Sequence, residues 1–146
     1  MSKTNSWENA LLDLLFLNTN AANIGDATGL RGSTTAGSLF FSLHTADPGE
    51  AGDQTTNETS YGSYARVGVA RSGAGFTRTG NSVSPVANVV FPVSSSGTPT
   101  ITHYGIGTAS SGAGVLLYKG ALSPTITVVV SGAAPTLTTA TAVTED

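Results

Sequence analysis

The chain has 146 residues, a net charge of −3 and no cysteine, a length suited to one domain with a sizeable core and a composition that excludes disulfides and thiolate zinc sites. Charged residues make up only 10%, against about 25% in ordinary globular domains, while 39% apolar residues and a mean hydropathy of +0.10 mark a folding sequence whose surface suits burial in an assembly. The six Lys and Arg are scattered, which argues against direct nucleic-acid binding, and no run approaches the roughly 18 apolar residues of a membrane span.

The first element in chain order is a helix in "TNSWENALLDLLFLNTNAANIG". Asn5 with Glu8 three residues later fits an N-terminal cap and its reciprocal partner. Trp7, Ala10, Leu11, Leu14 and Leu15 recur at helical spacing, and Leu12, Phe16 and Leu17 widen the apolar surface beyond that stripe. Such a helix must be covered on most sides. One face is expected on its own domain and the other, through Trp7, Leu11, Leu14 and Leu15, at an interface with a second subunit. Asn18, Asn20, Asn23 and Gly25 stop the helix. Asp13 interrupts the run 11–17, and the cleavage context is weak, so this segment reads as structure used without export.

Everything after Gly25 reads as β, with strands predicted at 39–45, 64–71, 86–93, 101–107, 115–120 and 125–130 and a short one near 136–143. Pro85, Pro92, Pro99, Pro124 and Pro135 fall at the ends of these runs or on edges. The pattern predicts a mainly β fold: an antiparallel β-sandwich, jelly-roll-like, with one N-terminal α-helix. The organisation expected is a helical segment at 1–25 and a β-sandwich domain at 26–146, one domain overall.

The stretch "SLFFSLHTADPGEAGDQTTNET", 38–59, holds the candidate chemistry. Asp47-Pro48-Gly49 is turn chemistry, since Asp bonds its downstream backbone and Pro presets φ. His44, ending the apolar strand, is expected to anchor that turn with a hydrogen bond. Catalysis would need a nucleophile or paired acid beside it. No G-x-S-x-G elbow or S-x-x-K pattern occurs, and Asp47, Glu50, Asp53 and Glu58 read as a solvated acidic loop. His44 and His103 can approach across a sheet, yet two histidines without thiols make a poor zinc site, and the acids do not follow the calcium-loop spacing. The pair Gly105/Gly107 lacks the third glycine and helix of a dinucleotide fingerprint. The expectation is no catalytic residue, no metal, no cofactor and no enzymatic activity. Tyr61 and Tyr64 are added to the candidate interface because Tyr is enriched in interface cores, with cross-strand packing as their other reading. Arg66 and Arg71 are expected on a solvated strand face, with pairing to the loop acids or to a neighbouring subunit as the alternative.

Three segments carry a resemblance: "FFSLHTADPGEAG", "NETSYGSYARVGVAR" and "ITHYGIGTASSGAGVLLYKGAL", in that order over 39–122. Together they resemble short virion proteins of tailed bacteriophages, some of them tail-fibre-type and others capsid decoration or cement proteins. The resemblance implies a structural virion protein made in the host bacterial cytoplasm. The leading expectation is a decoration protein on the outer surface of the capsid, binding across major capsid protein subunits and copies of itself as a dimer or trimer. No contact with nucleic acid or membrane is expected. The alternative is a tail-fibre or tail-tip module gripping a host-surface glycan or protein, with Tyr61, Asn57 and Glu58 as the contact set.

Overall fold

The computed structural model describes residues 2–25 and 29–146; the expected boundary after residue 25 abuts 26–28, which lie outside the described residues. The order of elements is α1 (Asn5–Phe16), β1 (Ser38–His44), β2 (Val67–Ala70), β3 (Phe76–Thr79), β4 (Ser82–Pro85), β5 (Val89–Val90), β6 (Thr100–Gly107), β7 (Leu116–Thr127), β8 (Thr136–Leu137) and β9 (Val143–Thr144). The fold is mainly β with one helix, and β1–β6, β3–β4, β4–β9, β5–β8 and β6–β7 all pair antiparallel. Contacts gather the chain into two compact units that do not follow its order. Unit 1 takes Met1–Ser38, Val69–Asn88 and Thr138–Asp146, and unit 2 takes Leu39–Gly68 and Val89–Leu137.

In unit 1 the helix is capped one residue before the expected position, and Asn5 is its first residue. Thr4 occupies the N-cap in extended conformation and makes no side-chain cap bond; its carbonyl accepts from the N–H groups of Trp7 and Glu8. At the other end Asn18 takes a φ of +56°, and the Thr19 N–H returns to the Asp13 carbonyl. The buried line is Glu8, Leu12 and Phe16, an i, i+4, i+8 row that differs from the predicted stripe. It faces inward because α1 packs on β3 and β4, where the Phe16 ring meets Phe76 edge-on at 5.0 Å. Trp7, Leu11, Leu14 and Leu15 are half-buried. Arg71, expected in solvent, instead donates to the last helical carbonyls, Nε to Leu15 O at 2.7 Å and Nη2 to Leu14 O at 2.9 Å. A cation there satisfies orphan acceptors and complements the negative helix end.

The β3–β4 hairpin was not among the expected strands. Its residues, Phe76–Thr79 and Ser82–Pro85, are half Ser and Thr and carry little apolar signal. The turn signal is present: Gly80-Asn81 is a two-residue connection, and Gly80 adopts a φ of +59°, which fits glycine at the first central position of a type II′ turn.

Unit 2 is built around a sheet of order β2-β1-β6-β7, with β2 carrying the chain across the boundary between units. Phe41, Leu43, Ile101 and Ile106 are buried in it. The second half of β1 is buried at every residue, Ser42 and His44 included. The two strands expected at 115–120 and 125–130 are one strand, β7. Pro124 lies within it, where the β6–β7 register shifts between Ile101/His103, and β7 ends the strand order, so the missing N–H breaks no ladder bond.

The Phe16 ring is fully buried and packs edge-on against Phe76. Phe16→Ala should destabilise unit 1 by about 3–5 kcal/mol, read from the shift in denaturation midpoint. Leu14→Ala, at a half-buried position, should cost less than half as much.

Candidate functional site: two loops braced from a buried polar core

The long connection after β1 is held from inside. His44 is fully buried; its Nδ1 donates to the Thr56 carbonyl at 2.9 Å, which leaves Nε2 to accept from the Ser42 hydroxyl at 2.8 Å. Both ring nitrogens are thus used by a neutral imidazole, and burial lowers its pKa. Ser42 is as buried as His44, so this Ser–His pair is sealed from substrate. The space for it comes from Gly105 on β6: a Cβ there would lie 2.7 Å from Ser42 Oγ and 2.9 Å from His44 Nε2. A Cβ on Gly107 would collide with the Gln54 side chain. The G-x-G pair therefore makes room for two buried polar groups.

Gln54 is the second anchor. It is fully buried although it belongs to the loop, and its Oε1 accepts from Ala109 N at 2.9 Å while its own N–H donates to Ala113 O at 2.9 Å. Arg66 is the third, with only 3% of its side chain exposed. Nε and Nη2 close on the two oxygens of Glu58 at 2.6 and 2.7 Å. Nη1 and Nη2 also reach the carbonyls of Ala109 and Gly112 at 2.9 and 2.8 Å. Hydrogen bonding to Glu58 raises the guanidinium pKa. Glu58 also accepts from Tyr64 OH at 2.9 Å, and that phenol oxygen accepts from Leu43 N at 3.0 Å; burial pushes the Tyr64 pKa upward.

The other acids are also committed. Asp47 Oδ1 accepts from Gly49 N at 2.8 Å, and Gly49, at a φ of +75°, completes the turn expected at Asp47-Pro48-Gly49. Asp53 accepts from Thr55 Oγ1 and N at 2.6 and 2.8 Å. These bonds hold both carboxyls below their usual range. Lys119 on β7 bridges Asp47 and Glu50 at 3.0 and 3.2 Å. His44 and His103 are register partners across β1 and β6, and among the described residues no group of three His, Cys, Asp or Glu stands ready to hold a metal.

What these anchors hold in place is a surface. Ser110 to Val115 form an exposed run of small residues beside the 45–66 loop, with Val115 59% exposed. The glycan contact set does not lie on it as a unit. Tyr61 is 5% exposed, packs edge-on with Tyr64 at 5.3 Å and donates its hydroxyl to Pro92 O. Tyr64 is half-buried, Glu58 is closed on Arg66, and Asn57 Nδ2 donates to the Asp47 carbonyl. Sequence reasoning missed Gln54, whose partners at 109 and 113 are distant in the chain; for Arg66 the structure shows the pairing with a loop acid in place of the solvated face.

Removing the guanidinium leaves a carboxylate without its counter-charge and two carbonyls without donors. Arg66→Ala should therefore cost about 3 kcal/mol, and Arg66→Lys, which keeps charge but loses the fork, should fall between it and the parent in thermal denaturation. For pH, His44 in the folded chain titrates below its ordinary 6.5, so the unfolded chain binds the proton first. Its stabilisation is fully present above pH 6.5 and is lost as pH falls below that value. Asp47 and Asp53 act only in a lower window, below their ordinary 3.8. His44→Gln should flatten the stability profile between pH 6.5 and 3.8, measured by denaturant titration at each pH.

Over residues 2–144 the chain matches the family model described as podophage GP4 fiber I protein gp80. No curated protein matches it.

Proposed function

The chain belongs to that family of short-tailed phage virion proteins, and from this premise we propose that it is a non-enzymatic fibre component of the virion, working through its surface. The observation that carries the reading is the family match along nearly the whole chain, residues 2–144. The site supports it. A buried ion pair, a buried glutamine and a buried histidine are spent on holding the shape of two exposed loops, an arrangement that suits recognition on a rigid base. The Ser42–His44 pair and the loop acids all have internal partners, so none is left positioned as a general base toward solvent. This fibre reading takes precedence over head decoration, the leading expectation from sequence, because the family description names a fibre.

Head decoration is the second reading. It is favoured by the apolar flank of α1, Trp7, Leu11, Leu14 and Leu15, and by exposed valines at 90, 93, 129 and 130, surfaces that neighbouring major capsid protein subunits would cover. In either place the chain acts beside copies of itself, where repetition makes modest contacts cumulatively strong. It needs no contact with nucleic acid or membrane, and among the described residues no helix is long and apolar enough to cross one.

Copy number and fractionation separate the two. A fibre component should travel with the tail fraction at a few tens of copies or fewer per particle, on the order set by tail symmetry. Hundreds of copies stripped from heads would place it in the decoration class.

A further inference from the structure

We infer that His44 is an acid-sensitive latch: taking up a proton frees the 45–57 stretch from the sheet while the strands beneath it stay paired. Its functional meaning rests on the loops being the recognition surface, as proposed above.

The imidazole is fully buried on β1, a strand paired on both sides in the order β2-β1-β6-β7, so the strand cannot turn it toward water without breaking the sheet. What covers the ring is the loop, through the Thr56 carbonyl that accepts from Nδ1 at 2.9 Å. A neutral ring offers one donor and one acceptor, and both are used. A proton on Nε2 turns that nitrogen from acceptor into donor. Ser42 Oγ must then accept, and its own proton loses the acceptor it has. The space is apolar on its far side, since a Cβ on Gly105 would lie 2.7 Å from Leu116 Cδ1 as it does from Ser42 Oγ.

The charges that face the ring leave a cation unsupported. From the loop, Glu58 stands across an isolated bridge from His44 and favours the proton. That carboxylate is already closed on Arg66 and accepts from Tyr64. Arg66 and, from β6, the register partner His103 both oppose the charge. β2 carries no charged residue. On β7, Lys119 lies level with Gly105 and is a further cation, bridged to Asp47 and Glu50. Asp53 is turned onto Thr55 and Thr56. The folded chain therefore accepts a proton at His44 only by letting water in.

The loop is the element that can yield. Thr45 N holds Asn57 O, Gln54 holds the backbone at 109 and 113, and Lys119 holds two carboxylates whose side chains are 52% and 95% exposed. Exposed ion pairs contribute little, and loops of this kind open below the cost of global unfolding. Lifting the stretch withdraws Gln54 from Ala109 N and Ala113 O, so the exposed run at 110–115 loses one of its braces. Arg66 keeps its hold on Glu58, Ala109 and Gly112, which sets the limit of the opening.

The test is amide hydrogen exchange of the full chain from about pH 8 to about pH 5, corrected for the intrinsic rate at each pH. Protection at Thr45, Gln54 and Ala109 should fall below pH 6.5, approaching about tenfold per pH unit, while the β1–β6 and β3–β4 ladders keep theirs. His44→Gln retains a donor and an acceptor without a titrating group and should abolish this dependence; His103→Gln should leave it intact. If His44→Gln does not fold, the NMR titration of the parent decides, because the His44 ring and the loop amides must share one midpoint. Protection indifferent to pH, equal loss in the ladders, a pH dependence that survives His44→Gln, or two separate midpoints would overturn the latch. Each readout concerns the purified chain, so it is separable from the fractionation result that judges the fibre reading.

Discussion

A guanidinium closed on a carboxylate, with almost no water around it, is the constraint on which the arrangement of unit 2 depends. Arg66 and Glu58 are eight residues apart, and the pair stabilises only because its remaining donors reach the carbonyls of Ala109 and Gly112. A buried charge pair without such bonds would roughly break even against its own desolvation. With them, one side chain ties the strand after the long loop, the loop's own acid and the glycine-rich turn before β7. Gln54 and His44 repeat the device with neutral groups, each filling a gap opened by a glycine on β6. The result is polar scaffolding inside an otherwise aliphatic core. Every member has a partner, the condition under which buried polar networks specify a single arrangement.

The same principle describes how the acidic loop uses its polar groups. A reaction site needs at least one group whose hydrogen-bonding capacity is held open for substrate. Asp47 and Asp53 fold their oxygens back on their own turns, Glu58 is saturated by Arg66 and Tyr64, and Ser42 spends its proton on His44. The fold uses its few charged residues as fasteners. That accounts for a composition so poor in charge: most of the surface is Gly, Ser, Thr and Ala, suited to close approach by other protein surfaces.

Parts of this were legible in the sequence. β1 and β6 show as apolar runs because both are central in the sheet, and the helix shows because its leucines recur at helical spacing. The helix's inward face did not, since seven apolar residues ring it and only its packing on β3 and β4 decides which row turns inward. Half of the β3–β4 strand residues are Ser or Thr, so Gly80-Asn81 is the hairpin's clearest readable mark. Pro124 suggested a break where β7 runs through, because edge status is a property of the sheet. Arg66 looked solvated because the carbonyls that complete its burial lie 43 and 46 positions away, although Glu58 is only eight residues distant. The G-x-G on β6 read as a failed cofactor signature. Its meaning lay in His44 and Gln54, which come to it only through pairing and loop closure.

The interleaving of the two units governs how the molecule is made. Unit 1 draws on Met1–Ser38 and on Thr138–Asp146, so during synthesis the edge of β4 waits unpaired until β9 emerges to join it. Unit 2 draws on a more compact stretch and can consolidate earlier. Long-range closure of this kind slows folding and prolongs exposure of sticky surface. Nascent chains are then most vulnerable to misassembly in the interval between the emergence of β4 and that of β9.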